Sequence, residues 1–483
     1  MVQFSLLNSK RMTVLSKPHV VILGGGPAGC GGAYELHRTG KGRATVVEQQ
    51  AMLGGNAGSF EHNGIWLDFG SHRLHSACDP AILADLQRLL GDDMRLRDRH
   101  GRIRLRNKWL HFPLKAVDLM LRLDKPFAAG VMRDMATKAV RGSANSGDTF
   151  ASVLRANLGP TICEHFYFPY ARKIWGREPE QLSGIQARKR VTAGTFSKLL
   201  KRLVKAPGDG KFWYFREGYG QISRTLAADA QRNGADIRMG WKASAVEATP
   251  GAAHPWRVTL TKGDQQDVLE ADHVWSTIPV TIAARMLTPG APADVLEAAA
   301  RIDYRAMILI YIELDMDQFT TTDAHYFPEA NVSITRLSEP KNYFGLSEPR
   351  GRTTLCAELP CSPNDDVWTM SDEQLGERLV ADMERAGLPL PRKPVEVFSR
   401  RLRQAYPIYP LGYETALAKL DDWLSSVPNF LVYGRQGLFA HDNTHHALYM
   451  ARAAVDCLTD AGFDHDRWDH HYRPIFATHV VED

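Results

Sequence analysis

The sequence predicts an α/β fold in which a Rossmann-like nucleotide-binding domain is interrupted by an inserted α+β substrate domain. The first observation is the segment from Val20 to Glu48, where an apolar run, a G-x-G-x-x-G turn, a helical stretch and a second apolar run ending in an acid follow one another. The second is the return of strand-helix patterns near residues 206–285 and 396–475, after long insertions. The nucleotide-binding domain is therefore predicted to form from three separated pieces.

The glycine-rich turn carries the first functional prediction. Gly24 permits the tight turn, Gly26 lets the backbone approach a pyrophosphate, and Gly29 lets the helix pack closely on the strand. The helix N-terminus then presents free N–H groups and a partial positive charge to phosphates. The predicted phosphate-binding residues are Gly24, Gly26, Pro27, Ala28 and Gly29. Such a turn can be only a turn, but with Glu48 placed to accept hydrogen bonds from a ribose, the whole unit predicts a dinucleotide site.

Bulk composition narrows the class of protein. The chain has 483 residues, 44% of them hydrophobic, which is enough for more than one buried core. Its net charge of +4 arises from mixed basic and acidic residues, a balance that does not favour nucleic-acid binding. The six cysteines lack C-x-x-C and His-linked metal spacing, so reduced thiols in a cytoplasmic protein are expected. The start of the chain resembles no signal peptide, and residues 1–17 are expected to form a loosely ordered extension.

The order of patterns divides the chain into five segments. The three nucleotide-binding pieces are predicted at 18–105, 206–285 and 396–475, a helical substrate-domain part at 106–205, and a substrate-domain sheet at 286–395. The first piece contains the hairpin sequence SFEHNGIWLDFG with an Asn-Gly turn. Helical spacing appears in AVDLMLRL and FSKLLKRLV. Alternating runs such as AMILIYIEL and RTTLCAEL predict a mixed or antiparallel sheet, and the last piece ends in the long helical stretch HHALYMARAAVDCLTDAG.

Motifs downstream of Glu48 identify a family resemblance. Leu53-Gly54-Gly55-Asn56-Ala57 follows the acid, and Leu67-Asp68-Phe69-Gly70-Ser71-His72-Arg73-Leu74-His75 comes soon after. With VYGRQGLFAHDNTHHALYMARAAVDCL near the C-terminus, these motifs resemble those of the flavoprotein superfamily of amine oxidases, protoporphyrinogen oxidases, phytoene desaturases and UDP-galactopyranose mutases. The resemblance implies a GR2-type FAD-binding domain, non-covalent FAD, and a D-x-G-x-H segment beside the flavin ring. Further FAD contacts implied by it are Gly54, Gly55, Asn56, Ala243, Gly434, Asp442 and Asn443.

The finer resemblance is divided between branches of this superfamily. The Gly54-Gly55-Asn56-Ala57 segment, the His72-x-x-His75 spacing, and the runs at 167–176 and 335–341 resemble bacterial galactopyranose mutases. The stretch FREGYGQISRTLA reads equally like the protoporphyrinogen-oxidase branch. Where mutases carry tyrosines after the second arginine, this chain has Phe439-Ala440-His441-Asp442.

Substrate contacts follow from the mutase-like motifs. Arg336 and Arg435 match two arginines that bind the sugar-nucleotide diphosphate, and a planar guanidinium suits that task. Surface salt bridges are the alternative for both, and a core position is the alternative for Trp175. The substrate residues implied by the resemblance are Lys173, Trp175, Arg336, Arg435, Phe439 and His441.

Two groups of histidines are candidates for chemistry. His72 and His75 lie on the segment expected to border the flavin, and either is a candidate general base; the alternative is that one only hydrogen-bonds to backbone. His441 and His445 have the i, i+4 spacing of a helical metal site, but the resemblance explains this segment as flavin contact, so no metal is predicted. Asp442 and Asn443 are expected to cap the helix that follows.

The leading prediction is an FAD-dependent oxidoreductase that transfers hydride from a polar, sugar or nucleotide-sugar substrate to flavin N5. The alternative is a redox-neutral, flavin-dependent NDP-hexopyranose/furanose mutase, and the third is a flavin-binding scaffold without turnover. The partner is a small, anionic molecule rather than nucleic acid. The basic stretches 108–122 and 198–205 could contact an anionic membrane surface, although a solvated helix face is the simpler interpretation.

Overall fold

The computed structural model describes residues 17–112, 122, 124–141, 147–189 and 210–481. The predicted N-terminal extension up to residue 16, the FSKLLKRLV stretch and the basic stretch 198–205 lie outside these residues. The AVDLMLRL stretch lies outside them except for one position, and the basic stretch 108–122 is described in part. In the described part of the chain, no helix has the length and apolar character needed to cross a membrane.

A parallel five-stranded sheet forms the centre of the nucleotide-binding part. In spatial order its strands are Asp236–Met239, Arg43–Glu48, His19–Leu23, His273–Ser276 and Phe430–Val432. These strands come from the three predicted pieces and run parallel throughout. Val20, Val21 and Ile22 are completely buried, as expected of a parallel sheet that is covered on both faces. The helices Pro27–Thr39 and Thr444–Cys457 pack against each other and share a core with this sheet.

The inserted part contains a seven-stranded, mostly antiparallel sheet. In spatial order its strands are Glu396–Ile408, Asp303–Leu314, Thr353–Cys361, Arg336–Ser338, Ala324–Tyr326, Gly101–Leu105 and Lys108–Phe112. Only the pair formed by Ala324–Tyr326 and Gly101–Leu105 is parallel among these described strands, so the predicted mixed or antiparallel sheet is confirmed.

The predicted boundaries differ from the observed sheet membership at two points. The strands Gly101–Leu105 and Glu396–Ile408 fall within predicted nucleotide-binding pieces but pair in the seven-stranded sheet, and Lys108–Phe112 falls within the predicted helical part. Alternation of apolar residues identifies a strand without identifying its partner, because pairing is decided by distant segments. The remaining division into domains stays a prediction.

Smaller sheets complete the structure. The hairpin Ser59–His62 with Ile65–Asp68 turns at Asn63 and Gly64, which both have positive φ, and this confirms the predicted Asn-Gly turn. The other strands are Gln265–Ala271, Trp256–Lys262, Lys242–Ala248 and Leu287–Thr288 in one sheet, Leu74–His75, Lys211–Phe215 and Met94–Asp98 in another, and Leu458–Thr459 with Gly462–Phe463.

Helices cover the sheets and form the helical part of the insertion. The remaining helices are Pro80–Leu90, Lys125–Arg141, Phe150–Leu158, Phe168–Trp175, Gly184–Arg188, Gln221–Arg232, Val280–Met286, Ala293–Ala300, Pro340–Phe344, Asp372–Arg385, Tyr413–Ser425, Gly434–Gly437 and Arg473–Ala477, joined by short helical turns. The predicted C-terminal helix ends at Cys457, because the chain becomes extended at Leu458 and turns into the small hairpin. All six cysteines are buried and unpaired, as predicted.

Candidate active site

The glycine-rich turn has the geometry that its sequence predicts. Gly24 has a φ of +103°, and a Cβ placed on Gly29 would lie 1.9 Å from the Gly24 carbonyl oxygen. A side chain at position 29 would therefore separate the helix from the turn. At Gly26, by contrast, a Cβ would meet no protein atom closer than 3.9 Å, and its nearest neighbours are Gly54 and Gly55. The space over Gly26 is thus a cradle between two glycine segments, which fits a pyrophosphate.

Glu48 is held rigidly at the end of its strand. Its Oε2 accepts a hydrogen bond from Gly25 N and its Oε1 accepts one from Gln50 N, both at 2.8 Å. Burial raises the pKa of this carboxyl, and the backbone donors oppose that shift. Each oxygen retains a lone pair, so the carboxylate can also accept ribose hydroxyls. Trp241, the residue before the strand Lys242–Ala248, donates its N–H to the Glu48 carbonyl at 3.0 Å. Ala243 belongs to this strand and lies at an irregularity of its register.

The C-terminal motif is brought against the first helix. Gly434 has a φ of +81°, and a Cβ there would lie 2.7 Å from the Ala28 Cβ. Asn443 is the N-cap of Thr444–Cys457, and its N–H donates to His446 Nδ1 at 3.1 Å. The predicted cap is therefore confirmed for Asn443. The Asp442 carboxylate instead pairs with His479 Nδ1 at 3.2 Å, a partner too distant in sequence to be foreseen.

His441 and His445 do not lie on one helix, because the helix begins only at Thr444, so the alternative of a helical metal pair does not apply. His441 is completely buried, and its Nε2 lies 2.8 Å from the Pro407 carbonyl oxygen. A different group, Asp442, His446 and His479, places ligand atoms within 4.8 Å of one another. Its position at a positive helix N-terminus disfavours a cation there.

The D-x-G-x-H segment is fixed by a buried carboxylate. Asp68 accepts hydrogen bonds from Ser59 Oγ at 2.6 Å, Tyr214 Oη at 2.5 Å and Tyr219 N at 2.8 Å. Burial raises the pKa of Asp68 to about 6. The ring of Tyr219 then stacks on His72, with 5.4 Å between ring centroids. Asp68 thereby sets the position of the tyrosine against which His72 rests.

His72 lies where three positive charges converge. Its pKa is lowered to about 3, first by burial and then by the charges of Arg336, Arg435 and Arg73. His72 is therefore neutral at pH 7. Its Nδ1 lies 3.3 Å from the Gly70 carbonyl oxygen, which favours a proton on Nδ1 and leaves Nε2 as an acceptor.

The two predicted substrate arginines thus reach the same place from different domains. Arg336 Nη2 pairs with Glu358 Oε2 at 2.9 Å, and its Nη1 donates to the Ser71 carbonyl at 3.2 Å. Glu358 Oε1 also accepts from Ser71 N at 2.7 Å, so this glutamate joins Arg336 to the His72 segment. Arg435 Nη1 donates to the Asp442 carbonyl at 2.7 Å. Neither arginine is an isolated surface group.

A tyrosine ring lies against each of these arginines, although the segment 436–442 directly after Arg435 contains no tyrosine. The Arg336 guanidinium lies 5.6 Å from the centre of the Tyr326 ring, and that of Arg435 lies 5.5 Å from the Tyr406 ring. Both tyrosines come from strands of the seven-stranded sheet. Sequence reasoning missed Tyr326, Tyr406, Glu358 and Arg73. Only Arg73, which stands inside the D-x-G-x-H motif region, carried a local signal.

Other predicted substrate residues are packed within the protein. Lys173 Nζ donates to three backbone carbonyls, those of Phe327, Val332 and Ile334, and burial lowers its pKa to about 7. Trp175 is 2% exposed, which supports its core alternative. Phe439 is 1% exposed and lies in a hydrophobic core. Their contacts within the protein therefore favour a structural role over substrate binding for Lys173, Trp175 and Phe439.

The remaining predicted site residues lie at the edge of this region. Asn56 Nδ2 donates to the Gln404 carbonyl at 2.8 Å, which ties the second glycine motif to the strand that carries Tyr406. His75 is partly exposed, and its Nδ1 accepts from Ala77 N at 3.1 Å. Both histidines thus hydrogen-bond to backbone, and His72 is the one on which the charges of Arg336 and Arg435 act.

The lowered pKa of His72 leads to a prediction about pH dependence. Since His72 is neutral from about pH 4 upwards, it should give no inflection near the ordinary histidine pKa of about 6.5. The measurement is kcat/KM between pH 5 and 9 with an active substrate, because this parameter reports groups of the free enzyme. An inflection near pH 6.5 that disappears in His72→Asn would contradict the assignment.

Fold and site together define an FAD-binding, two-domain flavoprotein, since the cradle at Gly26, the rigid acid Glu48 and the helix cap at Asn443 fit the two ends of FAD. Residues 28–455 match the family model described as flavin containing amine oxidoreductase, and the chain belongs to this family. The protein is accordingly a flavin-dependent enzyme. No curated protein sequence matches it.

Solved structures show the same fold at low sequence identity. A reduced UDP-galactopyranose mutase is 22% identical, with 92% of this chain and 94% of that chain covered and a TM-score of 0.77. A protein from Exiguobacterium sp. named as a protoporphyrinogen oxidase is 20% identical, with 91% and 98% covered and a TM-score of 0.70. Cyclohexylamine oxidase from Brevibacterium oxydans is 17% identical, with 91% and 98% covered and a TM-score of 0.63.

Proposed function

We propose that the protein is an FAD-dependent oxidoreductase that acts on a polar, anionic small molecule, with a sugar or nucleotide sugar as the substrate class. The observation that carries this proposal is the placement of the two arginines: Arg336 donates to the Ser71 carbonyl next to His72 at 3.2 Å, and Arg435 lies against Tyr406, which also acts on Arg336. Two guanidinium groups from different domains suit a phosphate or carboxylate. The bound flavin supplies the hydride-accepting chemistry, and the protein positions the substrate.

We assign to His72 the role of the general base that accepts a proton from the substrate. Its neutral ring offers Nε2 as acceptor for a hydroxyl proton of the substrate. The arginine charges that lower the pKa of His72 are offset when an anionic substrate binds between them. Substrate binding therefore raises the basicity of His72 at the moment when a base is needed. Tyr219, stacked on the ring, holds its orientation.

A redox-neutral mutase of nucleotide sugars is the second candidate. It is supported by the mutase-like positions of the two arginines and by the fold shared with a UDP-galactopyranose mutase. Although the segment 436–442 directly after Arg435 has no tyrosine, Tyr326 and Tyr406 lie against the two arginines in space. Both candidates place an anion at the same arginines and differ in whether electrons leave the substrate.

Anaerobic reactions separate the two candidates. The oxidised holoenzyme and, separately, the pre-reduced holoenzyme are mixed with UDP-glucose, UDP-galactose, glucuronate or glucose 6-phosphate, and flavin absorbance is followed together with sugar products. Flavin reduction that matches substrate oxidation supports the oxidoreductase. Product with a contracted sugar ring, formed only by the pre-reduced enzyme and without net flavin change, supports the mutase. Absence of both would overturn the proposal.

Substitution of the arginines tests the anion site. Arg435→Leu and Arg336→Leu should each raise the KM for the substrate by about tenfold or more, which is the scale of a charge-assisted hydrogen bond. The FAD content of both variants should stay close to that of the parent. Arg336→Lys is the matched control, because it keeps a charge beside Glu358. The double variant should depart from simple addition if both arginines hold one anionic group. Parental substrate constants in both single variants would exclude the anion site.

A further inference from the structure

Arg73 is a third arginine of this region, and its guanidinium lies against two aromatic rings. It lies 5.2 Å from the centre of the Phe212 ring and 4.9 Å from that of Tyr343. Its Nη1 donates to Tyr326 Oη at 3.1 Å. The centres of the two rings are 6.2 Å apart at an interplanar angle of 86°, so Arg73 lies in the corner between them.

The charge of Arg73 has no anionic partner within the described residues. No carboxylate there forms an ion pair with it, and its Nε and Nη2 are shielded from solvent without a hydrogen-bond acceptor. Asp323 contributes at longer range, but its Oδ2 already accepts from His100 N at 2.8 Å. The neighbouring tyrosines and Asp323 raise the pKa of Arg73, so it remains charged. A buried charge without a partner is costly, which points to a counter-anion supplied by a ligand.

Arg73 and Arg336 lie on either side of the same tyrosine. Arg73 bonds to the Tyr326 hydroxyl, whereas Arg336 lies over the Tyr326 ring. Tyr343 lies under Arg73, and its hydroxyl is hydrogen-bonded to Ser71, whose carbonyl accepts from Arg336. Arg73 also lowers the pKa of the adjacent His72. It therefore belongs to the same region as Arg336 but projects toward a separate set of aromatic side chains.

We infer that Arg73 is a specificity-determining contact for a second oxyanion of the substrate, a carboxylate or a phosphate, beyond the one at Arg336 and Arg435. This inference rests on the proposed anion site. The partnerless Nε and Nη2 form the edge of the guanidinium that presents two parallel N–H groups, and this fork matches a carboxylate or phosphate bidentately. The Tyr326 hydroxyl occupies Nη1, so the edge formed by Nε and Nη2 is the one left for the oxyanion. The enzyme thereby selects substrates that carry two acidic groups.

Simple anions test this selectivity on the holoenzyme. Acetate and succinate form one pair of probes, and inorganic phosphate and pyrophosphate the other; binding is read from the change in flavin absorbance. The parent protein should bind succinate more tightly than acetate, or pyrophosphate more tightly than phosphate, by about tenfold or more. Arg73→Gln should remove that preference and leave acetate and phosphate binding within about twofold. The pair that responds identifies carboxylate or phosphate as the second group.

Two controls keep the outcome decisive. Arg95→Gln removes an exposed arginine that also stacks on an aromatic ring, Phe344, and should preserve the preference. Arg73→Lys keeps the charge but not the fork, so an intermediate preference is expected, and it replaces Arg73→Gln if that variant fails to fold. An unchanged preference in both Arg73 variants, or no binding of any probe to the parent, overturns the inference. If Arg336→Leu loses every probe while the Arg73 variants keep the parental preference, the proposed function is retained and the role of Arg73 is rejected.

Discussion

Gly29→Ala is expected to yield a protein that does not retain FAD and is destabilised by about 3 kcal/mol or more. The reason is geometric, because the new methyl group would lie 1.9 Å from the Gly24 carbonyl oxygen. That oxygen belongs to the backbone of the turn, and the turn is fixed by the hydrogen bond from Gly24 N to the Val47 carbonyl at 2.8 Å. Relief therefore requires the helix to move away from the sheet. Thermal unfolding and the flavin content of the purified protein measure the effect.

Gly26→Ala is the matched comparison, because its methyl group would have only ordinary contacts at 3.9 Å. This variant should keep the stability of the apo-protein within about 1 kcal/mol and lose FAD affinity, since the methyl group fills the space left for the pyrophosphate. Gly290→Ala, at a site without close neighbours, should change neither quantity. Parental FAD affinity in Gly26→Ala would show that the pyrophosphate lies elsewhere.

Replacing Glu48 is expected to have the second largest effect on cofactor binding. Glu48→Ala removes the acceptor of the ribose hydroxyls and should weaken FAD binding by about 1.5–3 kcal/mol, or tenfold and more in Kd. It also leaves Gly25 N and Gln50 N without the carboxylate that orders the turn. Titration of apo-protein with FAD, followed by quenching of flavin fluorescence, gives the Kd.

Glu48→Gln separates the two contributions, because it keeps the shape and one acceptor oxygen while removing the charge. Its Kd should lie between those of the parent and Glu48→Ala. Glu61→Ala removes an exposed glutamate from the nearby hairpin and should leave the Kd unchanged. Equal affinity of Glu48→Ala and parent would show that Glu48 is not the ribose ligand.

Residues that act through local chain geometry were predictable from the sequence. Gly24 and Gly29 are required by a positive φ and by a close approach of helix to turn, and both requirements are expressed within a few residues. The Asn63-Gly64 turn likewise follows from two consecutive positive φ angles. Asn443 was recognised as a helix cap, because capping depends on the residues directly before the helix.

The orientation of side chains in the inserted domain was not predictable in this way. Lys173 and Trp175 stand in a mutase-like motif, yet the packing of their helix directs them to backbone carbonyls and to the core. Tyr326 and Tyr406 reach the arginines from two strands that are far apart in the chain. Strand pairing places them there, and pairing depends on contacts between distant segments rather than on local spacing.

The sequence by itself predicted the nucleotide-binding unit and the flavin, and its motifs made Arg336 and Arg435 candidates for anion binding, because these predictions depend on short motifs. The tertiary structure decided which charged side chains lie close enough to interact. It brought Arg336 and Arg435 to His72, and it paired His479 with Asp442. The physical reason is that burial and distance set the strength of each charge interaction, and both are fixed only when separate strands and helices come together.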